Sequence, residues 1–220
     1  ILLLKALIAF GAKGVATVDL KDALWPEVSG DLSFNRFKIS MYRLRKMLGC
    51  EDAILVSSEH VSLNPDICWV DIWPLEEILH SATKAWYEVH VNPEKSDHAV
   101  VLTQKLSDRI KGGFLPEDKE IWSVQRHEQI KHNYLFCLKQ LCHYYEQSSD
   151  WANAIKYYRK GLSVFPDSEY LYQRLIKCHA TAGDYDQAKE VYNLCKNKLS
   201  LIYGIRPSSK TKEIAESIAG

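Results

Sequence analysis

Between Phe34 and Leu48 the chain reads FNRFKISMYRLRKML, and its apolar residues return at helical spacing. At about 100° per residue, Phe34, Phe37, Met41, Leu44 and Leu48 share one narrow stripe. Asn35, Arg36, Ile39, Ser40, Arg43 and Lys46 fall on the other side. Upstream, residues 2–10 form a short, almost wholly apolar helical run that stops at Gly11 and Gly14. A second short helix follows, with Thr17 or Asp19 as its cap and Leu20, Ala23, Leu24 and Trp25 as its apolar side. Pro26 ends it. Residues 30–33 form a turn that can cap the basic helix, and Gly49 stops that helix. Downstream, residues 54–56 and 61–63 are short β-like runs flanking residues 57–60, the pattern of a hairpin.

The rest of the chain is helical and repeats itself. Asp150, Trp151, Ala152, Asn153 and Ala154 match Asp184, Tyr185, Asp186, Gln187 and Ala188 at an offset of 34 residues. At the same offset Leu141 matches Leu175 and Tyr158 matches Tyr192. A period of 34 is the tetratricopeptide period. Ala154 and Ala188 suit the close crossing of two helices, and Asp150 and Asp184 suit N-caps. Residues 74–90 and 96–111 are a degenerate candidate for a third helix pair. The first helix of each clear repeat spans about residues 133–147 and 169–182. Such stacks present a concave surface, and Lys139, His143, Gln173 and Lys177 are its expected non-core positions. They suit a polar or acidic protein segment, or self-association.

Charge sharpens the first half. The chain has 28 basic and 28 acidic residues, a formal net charge of zero. Residues 34–48 nevertheless hold Arg36, Lys38, Arg43, Arg45 and Lys46 and no acid, so the basic helix is local. A helix that packs on one side and offers Arg, Asn and Ser on the other suits the DNA major groove. Asn35, Arg36, Ile39, Ser40, Arg43 and Lys46 are the candidate DNA-binding residues. Ile39 suits either a thymine methyl or a protein contact. Lys38 and Arg45 flank the apolar stripe, where ion pairs or snorkelling over the core are the default. Ser57, Ser58 and His60 are candidate wing contacts, although the hairpin carries no Lys or Arg. The order helix, helix, basic helix, hairpin is that of a winged helix-turn-helix. The fold class expected is therefore mostly α: a winged helix-turn-helix with a small hairpin wing, then a tetratricopeptide-like helical repeat domain.

Little else in the chain points to chemistry. There is no phosphate-binding glycine loop, HExxH or GxSxG, and the histidines lack ligand spacing. No catalytic residue, metal or cofactor is expected. The six cysteines form no CxxC pair and read as free thiols in a reducing cytoplasm. No apolar run approaches the ~20 residues of a membrane span.

Two resemblances cover nearly the whole chain. ALWP at 23–26, YRLRKMLG at 42–49 and ILVSSEHVSLN at 54–64 resemble the OmpR-type winged helix of the antibiotic regulatory protein family. That family's domain begins with a small β-sheet, whereas this chain starts inside the first helix, so an N-terminally truncated domain is expected. WVDIWPLE at 69–76, GGFLP at 112–116, Trp122 and Arg126, the stretch 138–162 and YGIRPSSKT at 203–211 resemble the bacterial transcriptional activator domain. The implied domains are a winged helix at 1–68 and an activator domain at 69–220. The implied function is a cytoplasmic DNA-binding transcription regulator, with double-stranded DNA and a protein partner or second copy as its ligands. The alternative is a protein-interaction module whose winged helix no longer binds DNA.

Overall fold

The computed structural model describes residues 1–219, the side chain of residue 219 excepted. The described chain is mostly helical, with ten α-helices and one small sheet. It divides into two compact units. The first comprises Ile1–Ile72 and, out of sequence order, Phe114–Ile130; the second comprises Trp73–Gly113 and the chain from Lys131 onward. The family resemblances imply a boundary at 68/69, whereas the first unit also takes in Phe114–Ile130, a segment they do not assign to it.

In the first unit, α1 (Leu2–Ala9), β1 (Val15–Ala16), α2 (Thr17–Leu24) and α3 (Gly30–Leu48) precede β2 (Ile54–Ser57) and β3 (His60–Leu63). The apolar run of α1 buries Leu3, Ala6 and Leu7, while Ile1 and Leu2 stay exposed. Leu20 of α2 and Phe37, Met41 and Leu44 of α3 join them in the core. Phe34 does not: it is 48% exposed, one turn ahead of the buried stripe. Helix α3 starts earlier than its apolar pattern suggests. Ser29 is its N-cap, and Ser33, expected in a preceding turn, lies inside the helix with its Oγ donating to the Gly30 carbonyl at 3.0 Å. Gly49 ends it in the left-handed region at φ 70°, a conformation glycine adopts without steric cost.

A third strand joins the expected hairpin. β1 pairs antiparallel with β3, giving the order β1-β3-β2 with Val15 opposite Val61 and Ile54 opposite Leu63. Val15, Ile54, Val61 and Leu63 face the core. Thr17, expected to cap α2, does not do so. Its N–H and hydroxyl both donate to the Glu59 carbonyl, at 2.7 and 3.0 Å, and so tie the hairpin tip to the start of α2. Lys5 of α1 bridges Asp118 at 2.8 Å, which fastens the later segment to the first helix.

The remaining helices are α4 (Ile72–Val91), α5 (Ser96–Arg109), α6 (Ile121–Gln147), α7 (Trp151–Val164), α8 (Glu169–Thr181), α9 (Tyr185–Tyr203) and α10 (Ser209–Ala219). They belong to the second unit, except for Ile72 of α4 and the part of α6 up to Ile130. The 34-residue period is visible in the turns. Asp150 accepts from the Asn153 N–H at 3.1 Å and Asp184 from the Gln187 N–H at 3.3 Å. Just ahead of each cap, Ser149 and Gly183 both take a positive φ, 58° and 81°. Ala154 and Ala188 are both buried, as close crossings require. Gly161 is the tightest approach in the stack. A Cβ there would press into the terminal methyls of Leu138 and Leu171, so α6, α7 and α8 converge on a position where any larger residue makes those leucines shift.

Helix α10 is anchored by polar contacts with α8. Ser208 N and Oγ each donate to Glu169 Oε1 at 2.7 Å, and the Thr211 hydroxyl donates to the same oxygen. Burial raises the pKa of Glu169, but hydrogen bonds from Thr211 and Ser208 outweigh it, so the carboxyl titrates below its ordinary 4.5. A depressed carboxylate contributes stability that is complete above the unfolded value and lost as pH falls through the folded one. The anchoring of α10 is therefore expected to weaken below about pH 4.5, and Glu169→Gln to flatten that part of the stability profile in acid denaturation followed by circular dichroism. A second expected outcome concerns the first unit. Leu44→Ala removes a side chain that is 3% exposed and should cost about 2–5 kcal/mol in chemical denaturation.

Candidate nucleic-acid interface

The one-sided burial of α3 decides what it offers to solvent. Ser33, Phe37, Met41 and Leu44 are buried, so the opposite face is open. Of the expected DNA-binding residues, Asn35, Arg36, Ile39, Arg43 and Lys46 are exposed, and Ser40 is half-buried at the edge of the packed side. Five of the six thus share an open surface, and Ser40 stands at its margin.

One exposed residue of α3, Tyr42, has no role in the sequence reading, and a second, Lys38, takes a different one. Tyr42 is 68% exposed, on the same face as Asn35, Ile39 and Lys46. Lys38, expected to snorkel over the core, is exposed, with Nζ 4.5 Å from the ring centroid of Phe34. Both belong to a groove of about 740 Å³ that runs between α3, the start of α2 and the hairpin. Phe34, Lys38, Tyr42 and Lys46 form one wall, and Val56 and Ser58 stand across from them. Lys21, Lys38, Arg45 and Lys46 line this groove against a single acid, Glu51, so its field is positive. A spacing of four residues from Lys38 to Tyr42 to Lys46 was the available signal. The hairpin that completes the groove is not local in sequence.

Arg45 serves the architecture. Its Nη2 donates to the Ile54 carbonyl at 3.4 Å and joins the end of α3 to the first hairpin strand. Ser57, Ser58 and His60 are exposed at the hairpin tip, as expected for contacts beyond the protein, and Glu59 beside them is acidic. The groove is apolar at its base and cationic along its rim, and it holds no acid–base or nucleophile constellation. Among the described residues there is no cluster of His, Cys, Asp or Glu that could hold a metal ion, and no helix is long and apolar enough to cross a membrane.

The expected protein-contact residues divide differently. Lys139, His143 and Lys177 are exposed on α6 and α8. Gln173 is not: it is buried, and its Nε2 donates to Thr211 Oγ1 at 2.8 Å. It braces α10 and is not part of an open surface. Lys139 Nζ lies 4.4 Å from the ring centroid of Tyr170. Between the exposed positions sits a nearly buried carboxylate, Glu146. It accepts from the Tyr158 hydroxyl at 2.9 Å and from Arg174 Nε at 3.2 Å, and it pairs with Arg174 Nη2. This pair clamps α6 to α8 across the repeat boundary. Arg174→Ala leaves the Glu146 carboxylate, 8% exposed, with only His143 Nδ1 at 3.9 Å as an ionic neighbour. Removing a partner from a buried pair costs 3–5 kcal/mol, and the partial exposure of Arg174 reduces that to about 2 kcal/mol. Thermal denaturation of Arg174→Ala beside Arg174→Lys is the check, with the lysine variant recovering part of the loss.

All six cysteines are free. Burial pushes the Cys137 thiol up to about 11 and the Cys178 and Cys195 thiols up to about 12, so these are inert core groups and not nucleophiles.

Comparison with known proteins bears on what such a chain belongs to. Residues 108–219 match the bacterial transcriptional activator domain. No curated protein matches the chain. A solved structure, Mycobacterium tuberculosis EmbR in complex with a low-affinity phosphopeptide, superimposes with a TM-score of 0.61 at 16% identity. The match covers 99% of this chain and 57% of that one, so this chain spans little more than half of EmbR's length. At that identity the likeness is one of fold. The family match takes in half of the chain, from the end of α5 through α10, and leaves out α4 and the first unit. The chain belongs to the bacterial transcriptional activator domain family.

Proposed function

We propose that this chain is a DNA-binding transcription regulator, in which the first unit is a winged helix-turn-helix and the helical repeats make protein contacts. The observation that carries the reading is the outer face of α3. It is acid-free from Phe34 to Leu48, it is exposed at Asn35, Arg36, Arg43 and Lys46, and it is bordered by a cationic groove beside a hairpin. In this reading α3 is the recognition helix, β2 and β3 are the wing, and Arg36, Lys38, Arg43 and Lys46 meet phosphates or base edges. The second unit takes the part of tetratricopeptide-like repeats, with Lys139, His143 and Lys177 available to an acidic partner segment or a second copy. Membership of the activator-domain family supports the regulatory role, and the EmbR-like fold supports the pairing of the two units in one regulator.

One observation favours a second reading, an interaction module without DNA binding. The chain's formal net charge is zero and its hairpin carries Glu59 and no Lys or Arg, so the hairpin adds no cation to the face that α3 would offer a polyanion. The two readings part in a salt titration. Binding of labelled duplex DNA to the full chain should weaken linearly in log–log form as salt rises, with a slope near −0.9 per phosphate neutralised. Lys46→Ala and Arg43→Ala should each lower that slope by about one unit if they meet phosphate, or cost about 1–3 kcal/mol at one sequence position if they meet a base. Absence of DNA binding at low salt, or parental binding by the double variant, refutes the regulator reading in favour of the interaction module.

A further inference from the structure

The outermost row of α3 is not uniformly polar, and its composition points to what it reads. Asn35, Ile39, Tyr42 and Lys46 recur at i, i+4, i+7 and i+11, which at about 100° per residue places them in one row. That row lies opposite the buried Ser33, Phe37, Met41 and Leu44. Basic residues flank it on both sides, Lys38 on one and Arg36 and Arg43 on the other. A helix in a major groove aims its outermost row at the base edges and its flanks at the two phosphate walls. Phosphate contact needs cations, and the flanks have them. The centre of the row has instead a carboxamide and, one turn on, a branched hydrocarbon.

Ile39 serves no visible packing role, since it is 51% exposed on a helix whose core side is already filled. A branched hydrocarbon kept in the middle of a cationic face has one apolar counterpart on a major-groove floor, the C5 methyl of thymine. Asn35, four residues earlier, is about 6 Å away along the helix axis. Its carboxamide can donate to adenine N7 and accept from adenine N6, a pairing that no other base offers. We propose that α3 selects an A·T-containing site through Asn35 on an adenine and Ile39 on a thymine methyl within about two base-pair steps of it. This rests on the DNA-binding reading above and names the base class that reading leaves open.

The test begins with a pool of short duplexes with a random core, enriched by binding to the full chain at moderate salt. The enriched duplex is then resynthesised with uracil for thymine, a change that removes the methyl and leaves every hydrogen-bonding group in place. Affinity should fall about four-fold for each contacted methyl lost, the transfer value of one buried methyl-sized group. Ile39→Ala should bind the thymine and uracil duplexes alike, and Asn35→Ala should accept other bases at the selected adenine. Equal affinity of the unaltered chain for the two duplexes overturns methyl reading while leaving DNA binding intact. Full uracil discrimination by Ile39→Ala overturns the assignment to Ile39. Enrichment of G·C cores overturns the base class. Failure of every duplex to bind, even at low salt, defeats the DNA-binding reading itself and this inference with it. The uracil comparison on the unaltered chain stands even if a variant folds poorly, and thermal melting of each variant shows whether it does.

Discussion

Burial of one side of α3 is the constraint on which the first unit depends. Phe37, Met41 and Leu44 must leave water, and α1 and α2 supply the apolar surface that covers them. Each such side chain contributes about 1.5–3 kcal/mol when buried. Helix propensity differences among the exposed residues amount to tenths of that. Packing therefore sets the rotation of the helix about its own axis. Once it is set, the identity of the free face follows without further adjustment: Asn35, Ile39, Tyr42 and Lys46 face outward because Phe37, Met41 and Leu44 face in. The sheet adds a second restraint. Arg45 holds the Ile54 carbonyl, and Thr17 holds the Glu59 carbonyl at the hairpin tip, so the hairpin is tied to α3 at one end and to α2 at the other.

In the second unit a different device recurs. The caps at Asp150 and Asp184, the preceding positive-φ residues Ser149 and Gly183, and the small Ala154 and Ala188 return at one period. Gly183 adopts its conformation at little cost, whereas Ser149 carries a Cβ into the left-handed region and depends on the surrounding turn to hold it there. Repeats of this kind have no closed core of their own and lean on their neighbours. The Glu146–Arg174 pair and the convergence on Gly161 are where α6, α7 and α8 are locked together. The Glu169 cluster then holds α10 to α8, while α10 packs against both helices of the last pair.

What could be read from sequence tracks how local the cause was. The α3 stripe and the repeat caps depend on residues within one or two turns, and they stand where the spacing put them. β1 was invisible because two residues, Val15 and Ala16, form a strand only through pairing with Val61 and His60, far along the chain. Gln173 was misplaced for the same reason, since its partner Thr211 is 38 residues away. A helical wheel assigns it to the open face, but α10 closes over it. Thr17 read as a cap because Ser, Thr and Asp before a helix usually cap it; Ala16 instead holds the N-cap position, and Thr17, already inside the helix, gives its hydroxyl hydrogen to the Glu59 carbonyl. The groove that Lys38 and Tyr42 line was not legible because it needs the hairpin opposite them. Phe34 lies at the margin of the apolar stripe, about 60° round the helix from Phe37, and is 48% exposed although Ser33 beside it is buried, so periodicity alone overestimated its burial.

The neutrality of the chain and the basicity of α3 are compatible because electrostatics acts over short distances. At physiological ionic strength the screening length is about 8 Å, so exposed charges further apart than that hardly sense one another. A balance of 28 basic and 28 acidic residues therefore says little about the field over one helix face. What matters locally is that Lys21, Lys38, Arg45 and Lys46 surround a groove with only Glu51 among them. A neutral chain gains little long-range steering toward a polyanion, so association would rest on contact and would fade quickly with salt. The same neutrality lowers the penalty of bringing two copies together. Under the DNA-binding reading proposed above, those two consequences work in one direction: attraction to arbitrary DNA would be weak, and occupancy would be set by base contacts and by partners held through the helical surface.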